Sequence, residues 1–142
     1  MRVARGPRIR TLVAGALLGL VTAACAAGGP TNSQRQVPSQ DRSARCQLTP
    51  DAVATATAKI ALRNRAFGLA VTVQVGQAVA FENLDTTTHT VTEGTGGHAV
   101  DNSCARQRLP RGQTTAVTFH LPGDYPFTCT IHASMQTTVH VR

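Results

Sequence analysis

A thiol, an imidazole and a thioether stand at i, i+3 and i+6 in Tyr125-Pro126-Phe127-Thr128-Cys129-Thr130-Ile131-His132-Ala133-Ser134-Met135, close to the C-terminus. All three are soft donors, and they fit one turn-sized loop after a strand-like Tyr-x-Phe-x-Cys run. Thiolate, imidazole and a weak thioether together suit copper. An all-oxygen set would suit magnesium or calcium, and structural zinc recruits more sulfur or nitrogen and no methionine. The loop offers three ligands at most, so a second histidine must come from elsewhere in the chain.

The elements that must present this loop are strands. From Cys46 to Arg142 the apolar pattern has period two. Residues Ala52 to Leu62 alternate loosely after a Thr49-Pro50-Asp51 turn, most clearly from Lys59 to Arg63. Val71, Val73 and Val75 form a strand ending at Gly76, and Val79 and Phe81 face inward with Glu82 outward. A Thr-rich segment then holds His89 and leads to Val91. Residues 93 to 113 contain four glycines, Pro110 and Cys104 with little alternation, which predicts a long irregular loop. Alternation resumes at Val117, Phe119 and Leu121, turns at Pro122-Gly123-Asp124, continues through Tyr125, Phe127 and Cys129, and ends with Val139 and Val141. About seven or eight short strands without a helical period predict an all-β fold, an antiparallel Greek-key β-sandwich. With no Trp, one Tyr and four Phe, its core is expected to be mainly aliphatic.

The first residues read differently. Arg2, Arg5, Arg8 and Arg10 precede an uncharged apolar stretch from Thr11 to Ala24, 14 residues against the roughly 20 that span a bilayer as a helix. That is a signal-peptide layout, residues 1–24. Thr22-Ala23-Ala24-Cys25 resembles a bacterial lipobox, with Thr22 where Leu, Val or Ile is usual. Cys25 would then be lipidated and anchor the chain to a membrane; the alternative is ordinary signal cleavage nearby. Residues 25–45, polar and rich in Gly, Pro, Ser and Gln, read as a flexible tether. Residues 46–142 form the domain.

Removing residues 1–24 takes four of the 14 basic residues and none of the seven acidic ones, leaving a formal charge of +3. The remaining bases are scattered without interleaved aromatics, so nothing calls for nucleic acid. An exported chain meets oxidising conditions in which thiols pair. With Cys25 given to lipid, Cys46, Cys104 and Cys129 remain, and Cys129 has a reason to stay a thiolate if a metal holds it. Cys46 and Cys104 are then the candidate disulfide, the alternative being two reduced, buried cysteines.

Tyr125-x-Phe127-x-Cys129-x-x-His132-x-x-Met135 followed by Val139-x-Val141 resembles the C-terminal copper loop of the cupredoxins, the type 1 blue copper proteins. Its short spacing is most similar to the amicyanin and plastocyanin-like branch. Ile60-x-Leu62-x-Asn64-x-x-Phe67, Val73-x-Val75-Gly76-Gln77-x-Val79-x-Phe81-x-Asn83, His89-Thr90-Val91 and Pro122-Gly123-x-Tyr125 agree in order, so the resemblance covers residues 59 to 142. It implies one copper per domain, cycling between Cu(I) and Cu(II). His89, Cys129 and His132 would be its equatorial ligands and Met135 a weak axial one. Asn83 and Thr90 would stand behind the ligands, and the edge of His132 would be the exit for the electron. Three departures stand out. Thr90 replaces the common Asn that ties the two ligand loops together, so a looser tie is expected there. Thr137 replaces a common Gly, and Phe67-Gly68-Leu69-Ala70 lacks a common Ser-Pro. His98, His120 and His140 read as solvated.

The resemblance implies a copper protein that passes single electrons between redox protein partners; the signal-peptide layout makes it extracytoplasmic, and a monomer is expected. The alternative is a protein that binds copper and delivers it to an oxidase, or sequesters it; a metal-free adhesive sandwich is a third reading. No acid–base pair, oriented nucleophile or phosphate-binding loop is present, so no enzyme activity is expected.

Overall fold

The computed structural model describes residues 42–142. The expected signal segment, Cys25 and the tether as far as residue 41 lie outside the described residues. A helical turn, Arg42–Arg45, leads into eleven strands. They are β1 Cys46–Leu48, β2 Ala58–Arg63, β3 Ala66–Phe67, β4 Val71–Val73, β5 Ala78–Asn83, β6 His89–Thr95, β7 His98–Ala99, β8 Arg106–Leu109, β9 Thr114–Phe119, β10 Gly123–Thr128 and β11 Gln136–Val141. One sheet has the order β1-β9-β5-β2-β3 and the other β4-β11-β10-β6-β7, with β8 also paired to β6. The all-β sandwich is the fold that the alternation predicts. Two pairings, β2 with β5 and β4 with β11, run parallel where an antiparallel arrangement was expected.

Side-chain period explains the two layers. Ile60, Leu62, Val79, Phe81, Val117 and Phe119 point inward from the first sheet, and Val91, Tyr125, Phe127, Val139 and Val141 from the second. The few aromatics are all buried, and they pair across the gap between the sheets. Phe81 lies 4.9 Å from Phe127, and Phe119 lies 4.8 Å from Tyr125, ring centre to ring centre. The core is therefore aliphatic in number but aromatic at its middle, and each such pair contributes roughly 0.5–1.5 kcal/mol beyond its area.

Residues 93 to 113 are not one irregular loop. They include the end of β6, the β6–β7 hairpin and all of β8. Strand β8, Arg-Gln-Arg-Leu, is an edge strand with charged residues on its open face, so it carries no apolar alternation to read. Likewise Pro50–Thr55 is a 3₁₀ helix rather than a strand approach. Leu121 lies beyond the end of β9 and is exposed.

The start of the domain is held by covalent and ionic links. A disulfide joins Cys46 to Cys104 with Cα atoms 5.4 Å apart, across 58 residues of sequence. Cross-linking a loop of that length removes about 4 kcal/mol of chain entropy from the unfolded state. Arg45, in the turn just before, pairs with the fully buried Glu93 at 2.7 Å, and its guanidinium lies 5.1 Å from the centre of the Tyr125 ring. Glu93 also accepts a hydrogen bond from the Cys104 N–H at 2.9 Å. Arg45, directly before Cys46, is thus packed onto the sandwich.

Candidate metal centre

Strand β6 begins at His89, and Cys129 is the residue directly after β10. The two strands are antiparallel neighbours, with Thr128 opposite Thr92. One end of the second sheet therefore brings His89 and Cys129 side by side from 40 residues apart. Beyond Thr128 the backbones separate, and a side chain takes over the ladder: the Thr130 N–H donates to Thr90 Oγ1 at 2.8 Å. The two hydroxyls of Thr90 and Thr130 lie 3.1 Å apart. The looser tie expected from Thr90 is not what the structure has. Its hydroxyl is short, but here the loops are close enough for it to bridge them.

The loop after β10 folds back on itself. Cys129 N–H donates to the Met135 carbonyl at 3.2 Å, and Met135 N–H donates to the His132 carbonyl at 2.9 Å. This closure returns His132 to Cys129. The His89 and His132 Nδ1 atoms are 3.1 Å apart, and each is 3.8 Å from the Cys129 Sγ. First-row metal–nitrogen and metal–thiolate bonds are about 2.0 and 2.3 Å, and the point equidistant from these three atoms is about 2.1 Å from each. The donors thus fit a single ion in a trigonal N₂S arrangement. Cys129 is free and buried, His89 is buried, and His132 is half-buried. Met135 is fully buried in the same loop.

The surroundings fix the donors. The His89 Nε2 lies 2.8 Å from Asp85 Oδ2. Donation from Nε2–H to that carboxylate leaves the Nδ1 lone pair for a metal. Asp85 in turn accepts the N–H groups of Asn64 and Arg65 at 2.6 and 2.8 Å. Burial pushes the Asp85 carboxyl upward, but the Arg65 N–H, the His89 ring and the Asn64 N–H outweigh it and hold the group below the usual range. Asn83 touches no ligand. Its amide donates to the Thr87 and Leu109 carbonyls, both at 2.8 Å, and it accepts the Asp85 N–H at 3.0 Å, so it shapes the loop that carries Asp85. The Thr90 N–H donates to Cys129 Sγ at 3.3 Å, so a backbone donor points at the sulfur that would bind the metal.

The β6–β7 hairpin presses on the ligand loop from the other side. Gly97 N–H donates to Thr128 Oγ1 at 2.9 Å. Its φ is +83°, and a β-carbon there would stand 2.9 Å from that of Ala133, so only glycine lets the hairpin come this close. Thr137, at the loop exit, donates to the Gly68 carbonyl at 3.1 Å and ties β11 to the segment after β3. His98 and His120 are exposed, and His140, partly exposed, lies 2.9 Å from Asp124. None belongs to the centre.

Asp85 is the functional residue that sequence reasoning missed. The available signal was a carboxylate four residues before a candidate ligand, a weak pattern in a Thr-rich loop. A second group of donors, Cys46, Glu93 and Cys104, also lies within ligand distance. Both its sulfurs are spent in the disulfide, and the carboxylate is taken by Arg45 and a backbone N–H.

Comparison with known proteins agrees with the geometry. Residues 64–142 match the family described as copper binding proteins, plastocyanin/azurin family. The fold is similar to a Cu(I) form of an amicyanin mutant, with 20% identity, a TM-score of 0.58, and coverage of 69% of this chain and 99% of that one. It is likewise similar to amicyanin from Paracoccus versutus (Thiobacillus versutus), at 22% identity and a TM-score of 0.56, covering 69% of this chain and 98% of the other. A search of curated proteins finds no match to this sequence.

Proposed function

This chain belongs to the plastocyanin/azurin family of copper-binding proteins, and from that premise we propose that it is a one-electron carrier rather than an enzyme. One copper ion per domain is the cofactor, held by His89, Cys129 and His132 with Met135 as the fourth, weaker donor. When bound, copper supplies a single-electron couple between Cu(I) and Cu(II).

The protein's part is to keep the donors still. The observation that carries the reading is the tight N₂S triangle, braced by Asp85 behind His89 and by Thr90 across the two loops. A site that does not rearrange between oxidation states suits electron transfer. A site meant to hand its metal on would gain from a looser frame, so the Thr90 bridge weighs against delivery or sequestration. Thr90 N–H points at the Cys129 sulfur, and burial of His89 and Cys129 excludes water. The half-exposed His132 offers a short path to a redox partner protein.

Export to the outer face of a bacterial membrane, with Cys25 acylated and the chain a monomer, completes the proposal. The basic and apolar opening of the sequence supports it, as does a disulfide that suits an oxidising compartment. Mass spectrometry of the mature N-terminus tests it, and a mature chain that lacks an acylated Cys25 would refute the anchor. For the site, adding Cu(II) to the metal-free protein should give an intense visible thiolate-to-copper band, absent in Cys129→Ala, and reversible one-electron cycling. A colourless complex, or rapid copper loss to a modest chelator without cycling, would favour delivery instead.

A further inference from the structure

Among the described residues, four carboxylates have a basic side chain as partner: Glu93 with Arg45, Glu82 with Lys59, Asp85 with the His89 ring, and Asp124 with the His140 ring and Arg142. Arg63, Arg65, Arg106, Arg108 and Arg111 pair with no carboxylate among those residues, and all five are exposed. They are not spread evenly. Arg63 precedes, and Arg65 belongs to, the turn whose N–H groups grip Asp85 behind His89. Arg111 sits in the turn whose Gly112 N–H donates to the Asn83 carbonyl. Arg106 and Arg108 stand on the outward face of β8, opposite Thr92 and Thr90.

That last pair borders a groove of about 250 Å³ whose floor is Thr90, Thr92 and Thr130. No carboxylate lines it. Thr90 is bonded covalently to His89 and donates its N–H to Cys129 Sγ, so the groove floor is one residue from two metal ligands. The ligand loop itself presents a different surface: the exposed apolar Ile131, next to His132.

We propose that the Arg106–Arg108 face is a docking surface for a redox protein with a carboxylate-rich patch, which exchanges its electron with the copper through Thr90 and Cys129. This rests on the electron-carrier reading. The electron leaves the partner's own redox group as copper is reduced, or returns to it as copper is oxidised, with no bond made or broken. Guanidinium groups pair carboxylates in fork geometry, and a groove whose charged lining residues are both arginines attracts an acidic partner at long range. Such attraction acts mainly on association rate and weakens with salt.

Two measurements test it. Poly-glutamate peptide added to the full chain in its diamagnetic Cu(I) and metal-free forms should shift the amide signals of Thr90, Thr92, Arg106, Arg108 and Thr130. The shifts should vanish in the double variant R106E/R108E and at high salt. Shifts centred on Ile131 and His132, or none, overturn the proposal, and binding to phosphatidylglycerol vesicles without a response to poly-glutamate overturns it in favour of a lipid surface. Separately, oxidation of the Cu(I) form by the anionic oxidant hexacyanoferrate(III) at low salt should slow about tenfold in R106E/R108E. An unchanged rate in a variant that keeps its visible band and redox cycling removes the docking face alone. Failure of the unmodified chain to develop the band or to cycle removes the electron-carrier reading, and the peptide map then stands or falls by itself.

Discussion

Strand β6 carries two clusters of potential metal donors, and they have opposite fates. At its start His89 meets Cys129 and His132; four residues on, Glu93 meets Cys46 and Cys104. In both, sulfur and ionisable side chains come within 4.8 Å of one another. In the second cluster every group is spent: the sulfurs on each other, and the carboxylate on Arg45 and the Cys104 N–H. In the first, Cys129 stays a free thiol, and the histidine nitrogens facing it have no carboxylate or carbonyl of their own. Proximity alone does not make a metal site; what distinguishes it is donors held together yet left with valence to spare.

That contrast can be broken at either cluster. The largest effect is expected from the double variant Cys46→Ser/Cys104→Ser, which should lose about 4 kcal/mol of stability in denaturant unfolding. Its copper band should be unchanged, and a shifted or weakened band would show that the two clusters are coupled. Next, Asp85→Ala removes the carboxylate behind His89 and should weaken copper affinity about 10–100-fold, measured by competition with a chelator. An unaltered affinity would mean that packing alone orients the ring.

A smaller change sharpens the role of the loop bridge. Thr90→Val keeps the shape but removes the hydroxyl that accepts the Thr130 N–H, at a cost of about 1 kcal/mol in stability. Copper should exchange faster to a chelator if the bridge is what stiffens the site; an exchange rate equal to that of the unaltered chain would refute that. The smallest effect comes from the surface. The His140 and Arg142 side chains hold the exposed Asp124 carboxyl below its ordinary value of 3.8. A lowered folded-state value adds stability that is present above the unfolded value and lost as pH falls through the folded one. Unfolding measured from pH 6 to pH 3 should therefore show a difference between the unaltered protein and Asp124→Asn that is full above about pH 4 and shrinks as pH falls toward 3, and a difference that grows toward pH 3 would contradict the assignment.

The legibility of this molecule in its sequence follows the range of the interactions. Cys129, His132 and Met135 are readable because one short loop carries them, whereas His89, in a Thr-rich segment whose strand shows little alternation, is readable only through the resemblance of the whole pattern. The sandwich is readable because period two survives wherever one face is buried. Strand β8 is not, because an edge strand of arginines hides its own pattern. Glu93 and Arg45, 48 positions apart, pair through the packing of the whole domain, and nothing local marks either. Asp85 and the Thr90 bridge fail for a subtler reason. Their roles depend on how closely two loops approach, a quantity set by the neighbouring strands and, through Gly97, by the β6–β7 hairpin.

The fixing of Cys46 also has a mechanical meaning. Strand β1 pairs with β9 through only three residues, a ladder that tension on the preceding chain could peel open from its end. The sulfur–sulfur link to Cys104 sits at the first of those residues, so a pull from upstream passes into the loop before β8 through a covalent bond and not along the hydrogen bonds of β1. Forces on the leading segment therefore reach the body of the sandwich without first loading that three-residue ladder.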